Sequence, residues 1–269
     1  MDKTSLGDRH KGYEKAYSQR IPAGFPICVR IDGRSFSKFT KGFDRPYDER
    51  MSTAMSYATK QLVMESHAVV GYTQSDEISL IFHTDNYESQ VFFDGKTQKL
   101  ASVLASLATV NFYSWLKEWY PEMLGSKLPS FDCRVWAVPS KEEAVNYLIW
   151  RNRDAVKNSI SMLSSEHFSP KELHGKTQND RLDMLHDIGI NWNECPAYFK
   201  EGIFVASRNE LQTLSEYELQ AIPKKHQPEG GIVTRSKVID IMRGTKFAKV
   251  SNKVDVIFNK SDVKVFSDE

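Results

Sequence analysis

The fold is decided by one stretch of sequence, Ile27-Cys28-Val29-Arg30-Ile31, which breaks at Asp32-Gly33. The run is rich in β-forming residues and Asp-Gly is a turn signal, so a strand that ends at an acidic turn is expected. Residues 68–72 and 78–83 predict two more strands, joined through Gln74-Ser75-Asp76-Glu77. The sequence therefore predicts a β-hairpin with acidic residues at its tip.

Helical patterns separate these strands. Apolar residues recur at three- and four-residue steps between residues 51 and 62, after Asp48, and predict a helix with Asp48 as its N-cap. A second apolar stripe, at residues 100–111, predicts a long helix, and residues 131–138 predict a strand. The order strand, helix, hairpin, helix, strand favours an α+β fold of the ferredoxin-like type, with helices on one face of an antiparallel sheet.

The pattern changes after Ser140. Helices are expected at residues 142–162 and 178–187, and a strand is expected at residues 202–206. Residues 223–245, with two adjacent glycines, indicate a loop that contains a short basic element. The second half of the chain is therefore expected to be mainly helical.

Composition places the chain among ordinary globular proteins. Of its 269 residues, 40% are hydrophobic and 26% charged, which excludes disordered and collagen-like classes. No run approaches the ~18 apolar residues of a membrane helix, and the N-terminus lacks a signal-peptide core, so a cytoplasmic protein without membrane contact is expected. Three cysteines without Cys-x-x-Cys spacing indicate reduced thiols. The net charge of +1 does not by itself indicate nucleic-acid binding, although residues 1–60 and 221–250 are basic.

Two acidic positions are candidates for chemistry: Asp32 at the end of the first strand, and Asp76 with Glu77 at the hairpin tip. If these strands are neighbours in one sheet, the carboxylates project at the same edge. Paired carboxylates without histidine or cysteine suit hard cations such as Mg²⁺, and two such ions can activate a hydroxyl and neutralise a leaving phosphate. The alternative is that Asp32 is only a turn residue, because Asp-Gly is common in turns.

The residues that follow the first acidic turn predict phosphate binding. Gly33 lets backbone N–H groups approach a phosphate closely, and Arg34, Ser35, Ser37 and Lys38 supply further donors. The spacing is neither that of a P-loop nor that of a dinucleotide-binding fingerprint. A serine-hydrolase elbow is absent from the sequence, and the seven histidines are scattered without helical metal spacing.

Three motifs together resemble the tRNA(His) guanylyltransferase family. They are Arg30-Ile31-Asp32-Gly33-Arg34-Ser35-Phe36, Gly71-Tyr72-Thr73-Gln74-Ser75-Asp76-Glu77-Ile78-Ser79 and Phe131-Asp132-Cys133-Arg134-Val135, in this order. Trp150-Arg151 and residues 196–202 extend the resemblance, which covers roughly residues 25–208.

One segment departs from the family pattern. Where the strict tRNA(His) enzymes carry His-Ile-Asn-Asn-Leu-Tyr-Asn, linked to recognition of that tRNA, Val156 replaces the histidine and only the first asparagine is kept, as Asn158. The chain is therefore more similar to the branch of tRNA-His-guanylyltransferase-like proteins, which repair 5′-truncated tRNAs by copying the opposite acceptor strand.

The resemblance implies a polymerase-like palm that adds nucleotides to the 5′ end of tRNA, in the 3′–5′ direction. The 5′-monophosphate is first activated with ATP, or with GTP in some members, which gives a 5′-adenylylated RNA and pyrophosphate when ATP is used. The 3′-hydroxyl of an incoming nucleoside triphosphate then attacks the activated 5′ end and releases AMP. Residues 1–139 would form the palm-like catalytic core. Residues 140–269 would complete the fold and contact RNA, and the family suggests a homo-oligomer, a tetramer.

The same resemblance assigns roles to residues. Two Mg²⁺ ions would be held by Asp32, Asp76 and the Gly33 carbonyl, with Glu77 as a supporting catalytic carboxylate. The nucleotide-binding residues would be Arg30, Asp32, Gly33, Arg34, Ser35, Phe36, Ser37, Arg45, Ser75, Asp76, Lys99 and Arg134. At Arg45 the family commonly has lysine, so a guanidinium that can form two parallel hydrogen bonds replaces the compact charge of an ammonium group. Contacts to RNA are expected from Lys157, Asn158, Lys224, Lys225, Arg235 and Lys237.

Three alternatives stay open at this point. A strict tRNA(His) guanylyltransferase would add a single guanylate, and residues 159–162 argue against it. A nucleotide cyclase would share the palm fold and the paired aspartates, but the helical segment after Ser140 and the block at residues 196–202 argue against it. A non-catalytic RNA-binding palm protein would not need an intact set of Asp32, Asp76 and Glu77.

Overall fold

The computed structural model describes residues 5–125 and 128–266. In these ranges the helices are α1 (Ser5–Ala16), α2 (Phe36–Phe39), α3 (Glu49–Ser66), α4 (Thr97–Trp119), α5 (Lys141–His167), α6 (Pro170–Leu173), α7 (Gln178–Asp187), α8 (Ala197–Lys200), α9 (Glu216–Ala221) and α10 (Lys253–Phe258). The strands are β1 (Ile27–Gly33), β2 (Val70–Gln74), β3 (Glu77–Phe82), β4 (Phe131–Ala137), β5 (Ile203–Thr213) and β6 (Ile232–Asp240). Within these ranges, no helix has both the length and the apolar character needed to cross a membrane.

All six strands belong to one antiparallel sheet. Their order is β4-β1-β3-β2-β5-β6. The first four strands in this order have the ferredoxin-like arrangement, so the predicted α+β fold is confirmed. β1 pairs with β3 on one side and with β4 on the other. The first predicted strand is therefore inside the sheet, and its acidic end lies between two neighbours.

The sheet is covered on both faces, whereas the sequence pattern predicted helices on one face. Val29 and Leu80 face α3 and α4, while Cys28 and Ile81 face α5 and α10. Because consecutive side chains of a strand point to opposite faces, apolar residues at adjacent positions require two covering layers. The side chain of Asp48 accepts the first free N–H groups of α3, as predicted for its N-cap.

One element of the second half was predicted wrongly. Residues 223–245 were expected to form a loop with a short basic element, but β6 pairs with β5 from Thr213↔Ile232 to Val205↔Asp240. Most side chains of β6 are exposed, so the strand lacks the apolar alternation that marks a half-buried strand. Its backbone hydrogen bonds to β5, which extends beyond the predicted residues 202–206, stabilise it instead.

Candidate functional site

The acidic residues meet at one edge of the sheet. β1 and β3 are neighbours, and in their register Asp32 lies directly opposite Glu77. Ser75 and Asp76 form the turn between β2 and β3, and the N–H of Gly33 donates to the Asp76 carbonyl over 3.0 Å. The strand end and the hairpin tip are thereby joined by a hydrogen bond.

Two arginines neutralise the Asp32 carboxylate. Arg30 Nε lies 3.1 Å and Arg134 Nη2 lies 3.3 Å from Asp32 Oδ2. The Asp32 side chain keeps 28% of its surface exposed, so its other oxygen can meet a ligand from solvent. Arg30 and Arg134 are opposite each other on β1 and β4. The structure thus brings both predicted arginines to the acidic edge.

Asp76 lacks such neutralisation. Burial raises the pKa of the Asp76 carboxyl, and the negative charge of Asp32 raises it further. In the described part of the chain, Asp76 forms no ion pair. No cluster of three or more His, Cys, Asp or Glu with metal-site geometry occurs among the described residues. Two adjacent carboxylates do fit Mg²⁺, because this ion binds one or two carboxylates and fills its shell with water and phosphate oxygens.

Glu77 has a different environment, inside the molecule. Its carboxylate forms a bidentate pair with Arg151 of α5, at 2.7 Å to Nε and 2.5 Å to Nη2. Both side chains are 7% exposed, and Arg151 also contacts Asp154. Burial raises the pKa of Glu77, although the hydrogen bonds and charge of Arg151 oppose the shift. Glu77 therefore ties β3 to α5, a link that the sequence did not predict.

Only some of the predicted phosphate-binding amides are available. The N–H of Gly33 is bound to Asp76, and the N–H of Arg34 donates to the Ser130 carbonyl over 2.8 Å. Among the residues that the structure describes, the amides of Ser35, Phe36 and Ser37 donate to no protein acceptor. The Phe36 ring is buried in the core, so only its backbone faces a ligand.

A cleft of about 280 Å³ opens beside two of these residues, Phe36 and Ser37. Its polar lining includes Ser37 of α2, and Ser75 and Asp76 of the turn between β2 and β3, and Arg45 and Asn158 also line it. Its apolar wall is formed by residues that the sequence reasoning missed, namely Phe43, Tyr47, Met51, Met162 and Phe199. These come from four separate segments, so no local pattern could have grouped them.

Lys99 lies away from the other predicted nucleotide-binding residues. It lies in the first turn of α4, with Nζ 5.8 Å from the centre of the Phe93 ring. It lines a cavity that is also lined by Phe82. Phe82 is the last residue of β3 and pairs with Ile27, so this cavity is at the opposite end of the strand from Glu77. The structure does not bring Lys99 to the acidic edge, because α4 begins at the far end of the sheet.

The residues predicted to contact RNA fall into two groups. Lys157 and Asn158 are exposed on α5, and Asn158 lines the cleft. The other four lie on β6 and on the turn before it: Lys224, Lys225, Arg235 and Lys237. Arg235 is 3.1 Å from Glu218 and Lys237 is 3.7 Å from Glu210, whereas the two lysines of the turn are exposed.

The comparisons with known proteins agree on one family. Residues 7–139 match the family model described as "Thg1: tRNAHis guanylyltransferase". The tRNA(His) guanylyltransferase of Saccharomyces cerevisiae is 31% identical in an alignment of 202 residues that covers 69% of this chain and 84% of the relative. A bacterial tRNA(His) guanylyltransferase (Thg1)-like protein, solved in complex with ATP, is 40% identical, with a TM-score of 0.71 over 75% of this chain and 88% of that one. A bacterial Thg1-like protein in complex with GTP is 33% identical, with a TM-score of 0.68 over 87% and 91%.

Proposed function

Because the chain belongs to the tRNA(His) guanylyltransferase family of nucleotidyltransferases, we propose that it adds nucleotides to the 5′ end of truncated tRNA in the 3′–5′ direction. The observation that carries this proposal is the convergence of Asp32, Asp76 and the cleft at one edge of the sheet. The bacterial relatives named Thg1-like, solved with ATP and with GTP, support the assignment to the repair branch.

The cleft is the proposed site of the nucleoside triphosphate. The unpaired amides of Ser35, Phe36 and Ser37 offer donors to phosphate oxygens, as backbone nests do. The rings of Tyr47 and Phe199, with centroids 4.7 Å apart, offer an aromatic wall to a base. A polar side that binds phosphate and an apolar wall that binds a base match the phosphates and the base of a nucleotide.

We assign Mg²⁺ to Asp32 and Asp76, with the Gly33 carbonyl as a further oxygen ligand. When bound, the ions would activate the attacking hydroxyl and neutralise the leaving phosphate. The chain's own part is to hold the reacting groups. Arg30 and Arg134 stand beside Asp32 and can bind the 5′-phosphate of the RNA, and Arg45 in the cleft can bind the triphosphate.

The choice between repair and strict guanylate addition rests on α5. Val156 occupies the position of the family's histidine, and valine offers a base neither stacking nor hydrogen bonds. Selection would then come from base pairing with the template strand and from phosphate contacts. From the resemblance we also retain a homotetramer, a cytoplasmic location and the division at residue 139 as proposals.

The test is nucleotide addition to tRNAs that lack one 5′ nucleotide. tRNA(His) and two other tRNAs are incubated with ATP, labelled nucleotides and Mg²⁺, and the base opposite the missing position is varied. We expect similar rates on all three tRNAs and a nucleotide that follows the opposing base. Guanylate added whatever the opposing base, or a strong preference for the tRNA(His) anticodon, would instead indicate a strict guanylyltransferase.

A further inference from the structure

An exposed tryptophan stands beside the acidic edge, outside the cleft. Trp150 projects from the flank of α5, with 53% of its surface exposed. The guanidinium carbon of Arg151 lies 4.6 Å from the centre of its ring, and that of Arg30 lies 5.8 Å from it. Arg30 in turn donates to Asp32 over 3.1 Å. A single side chain therefore separates the indole from the candidate metal-binding carboxylate.

The sheet next to this indole is open. Arg134 lies opposite Arg30 in the register of β1 and β4, so both side chains project from the same face. Arg134 and its neighbour on this face, Asp132, are exposed, because α5 packs over the central strands and over Trp136 of β4 but leaves the end of β4 at residues 132–134 uncovered. Trp150, Arg30 and Arg134 thus form a shelf that ends at Asp32.

We propose that this shelf binds the 5′-terminal nucleotide of the RNA substrate, with its base stacked on Trp150 and its phosphate paired with Arg134. The inference deepens the proposed function and rests on it. Base–aromatic stacking tolerates any base, which suits an enzyme that accepts several tRNA ends. A protein partner would need a contiguous apolar patch, whereas charged side chains surround this single indole.

The orientation follows from the two arginines. Arg30 and Arg151 both contact the ring through cation–π interactions, and each is also bound to a carboxylate, Asp32 or Glu77. The indole is therefore fixed in place before RNA binds. A base on its exposed part would place the 5′-phosphate next to Arg134, at the end of the shelf that holds Asp32.

The test uses an acceptor-stem RNA with a 5′-monophosphate and 5-iodouridine as its 5′-terminal base. We expect ultraviolet crosslinking to the peptide that contains Trp150, located by mass spectrometry. We expect Trp150→Ala to weaken binding of this RNA about tenfold and to leave the affinity for GTP unchanged, and Trp150→Phe to restore most of the binding. Trp119→Ala is the matched control, because Trp119 is 57% exposed on α4, on the other face of the sheet.

Crosslinking to another peptide, or unchanged RNA affinity in Trp150→Ala, would overturn the inference. A change in sedimentation mass with unchanged RNA affinity would also overturn it and assign the indole to a contact between copies of the chain. Because binding and crosslinking need no catalysis, they are separable from the proposed function. The proposed function is contradicted if the wild type adds no nucleotide. The proposed role of the shelf is contradicted if the wild type adds nucleotides but RNA binding does not need Trp150.

Discussion

At the level of single residues, the two aspartates of the acidic edge have different electrostatic environments. Asp32 is balanced by Arg30 and Arg134, whereas burial and the charge of Asp32 both disfavour the ionised form of Asp76. An ionised Asp76 therefore destabilises the folded chain in the absence of a cation. A buried charge that lowers the stability of the folded protein is typical of a ligand-binding site.

We expect Asp76→Asn to raise the melting temperature while lowering nucleotide addition about 100-fold or more, because a metal ligand is lost and an unfavourable charge is removed. Mg²⁺ should raise the melting temperature of the wild type, since a ligand that binds only the folded state stabilises it, and should not raise that of the variant. Thermal denaturation with and without Mg²⁺, beside the addition assay, measures both effects. An active variant, or one stabilised by Mg²⁺ as much as the wild type, would contradict the assignment.

Gly33 has a packing role in addition to its place in the motif. A Cβ at this position would lie 2.3 Å from Phe36 Cδ2, and the Phe36 ring is packed in the core. We expect Gly33→Ala to destabilise the protein by about 1–3 kcal/mol, because the overpacked ring must shift. Gly12→Ala is the control, since a Cβ added at this position of α1 would meet no atom within 4 Å. Urea denaturation compares each variant with the wild type, and an unchanged midpoint in Gly33→Ala would show that Phe36 can move freely.

At the level of elements, α5 and β3 are joined by a buried ion pair. Arg151 donates two hydrogen bonds to the Glu77 carboxylate, and a third hydrogen bond joins the hydroxyls of Ser79 and Tyr147 over 2.7 Å. Burial makes the pair costly to form and more costly to break, because a lone buried charge has no partner. The pair therefore sets the position of α5, which also carries Trp150 and Asn158.

We expect Arg151→Met to lower the free energy of unfolding by about 3–5 kcal/mol, because it leaves the Glu77 carboxylate buried and unpaired. Glu77→Gln combined with Arg151→Met should recover part of this loss, since no unpaired charge is left. Arg153→Met, on the exposed side of the same helix, serves as the control. Losses that simply add in the double variant would show that the two residues act independently.

The same elements show how far sequence reasoning reaches. The ladder β4-β1-β3-β2 and the N-cap at Asp48 follow from local patterns, and so do the positions of Asp32 and Asp76 at the strand ends. β6 could not be predicted, because its side chains are exposed and only its pairing with β5 stabilises it. The partner of Glu77 and the aromatic wall of the cleft come from segments distant in sequence, and only the tertiary fold brings them together.

At the level of the whole molecule, the basic residues of β6 and the carboxylates of the acidic edge lie in different regions. The net charge is only +1, yet basic residues of β6 and of the turn before it lie far along the sheet from the acidic edge. The two cations of β6 are already paired with Glu218 and Glu210. Lys224 and Lys225 are exposed and, in the described ranges, belong to no ion pair. These two lysines are therefore the cations of this region that are free to neutralise phosphates.

We expect the double variant Lys224→Ala/Lys225→Ala to bind tRNA more weakly, with a slope of log affinity against log salt that is shallower by about 1–2, because fewer counterions are released. Arg235→Ala should change the slope less, since Glu218 already neutralises this arginine at 3.1 Å. Lys171→Ala/Lys176→Ala removes two exposed lysines near α6 and controls for the change in net charge. Affinity is measured by filter binding between low and physiological salt. If the control pair alters the salt slope as much as the Lys224/Lys225 variant does, binding depends on the total charge of the molecule. If only the Lys224/Lys225 variant alters the slope, bound RNA extends from the acidic edge to the far end of the sheet.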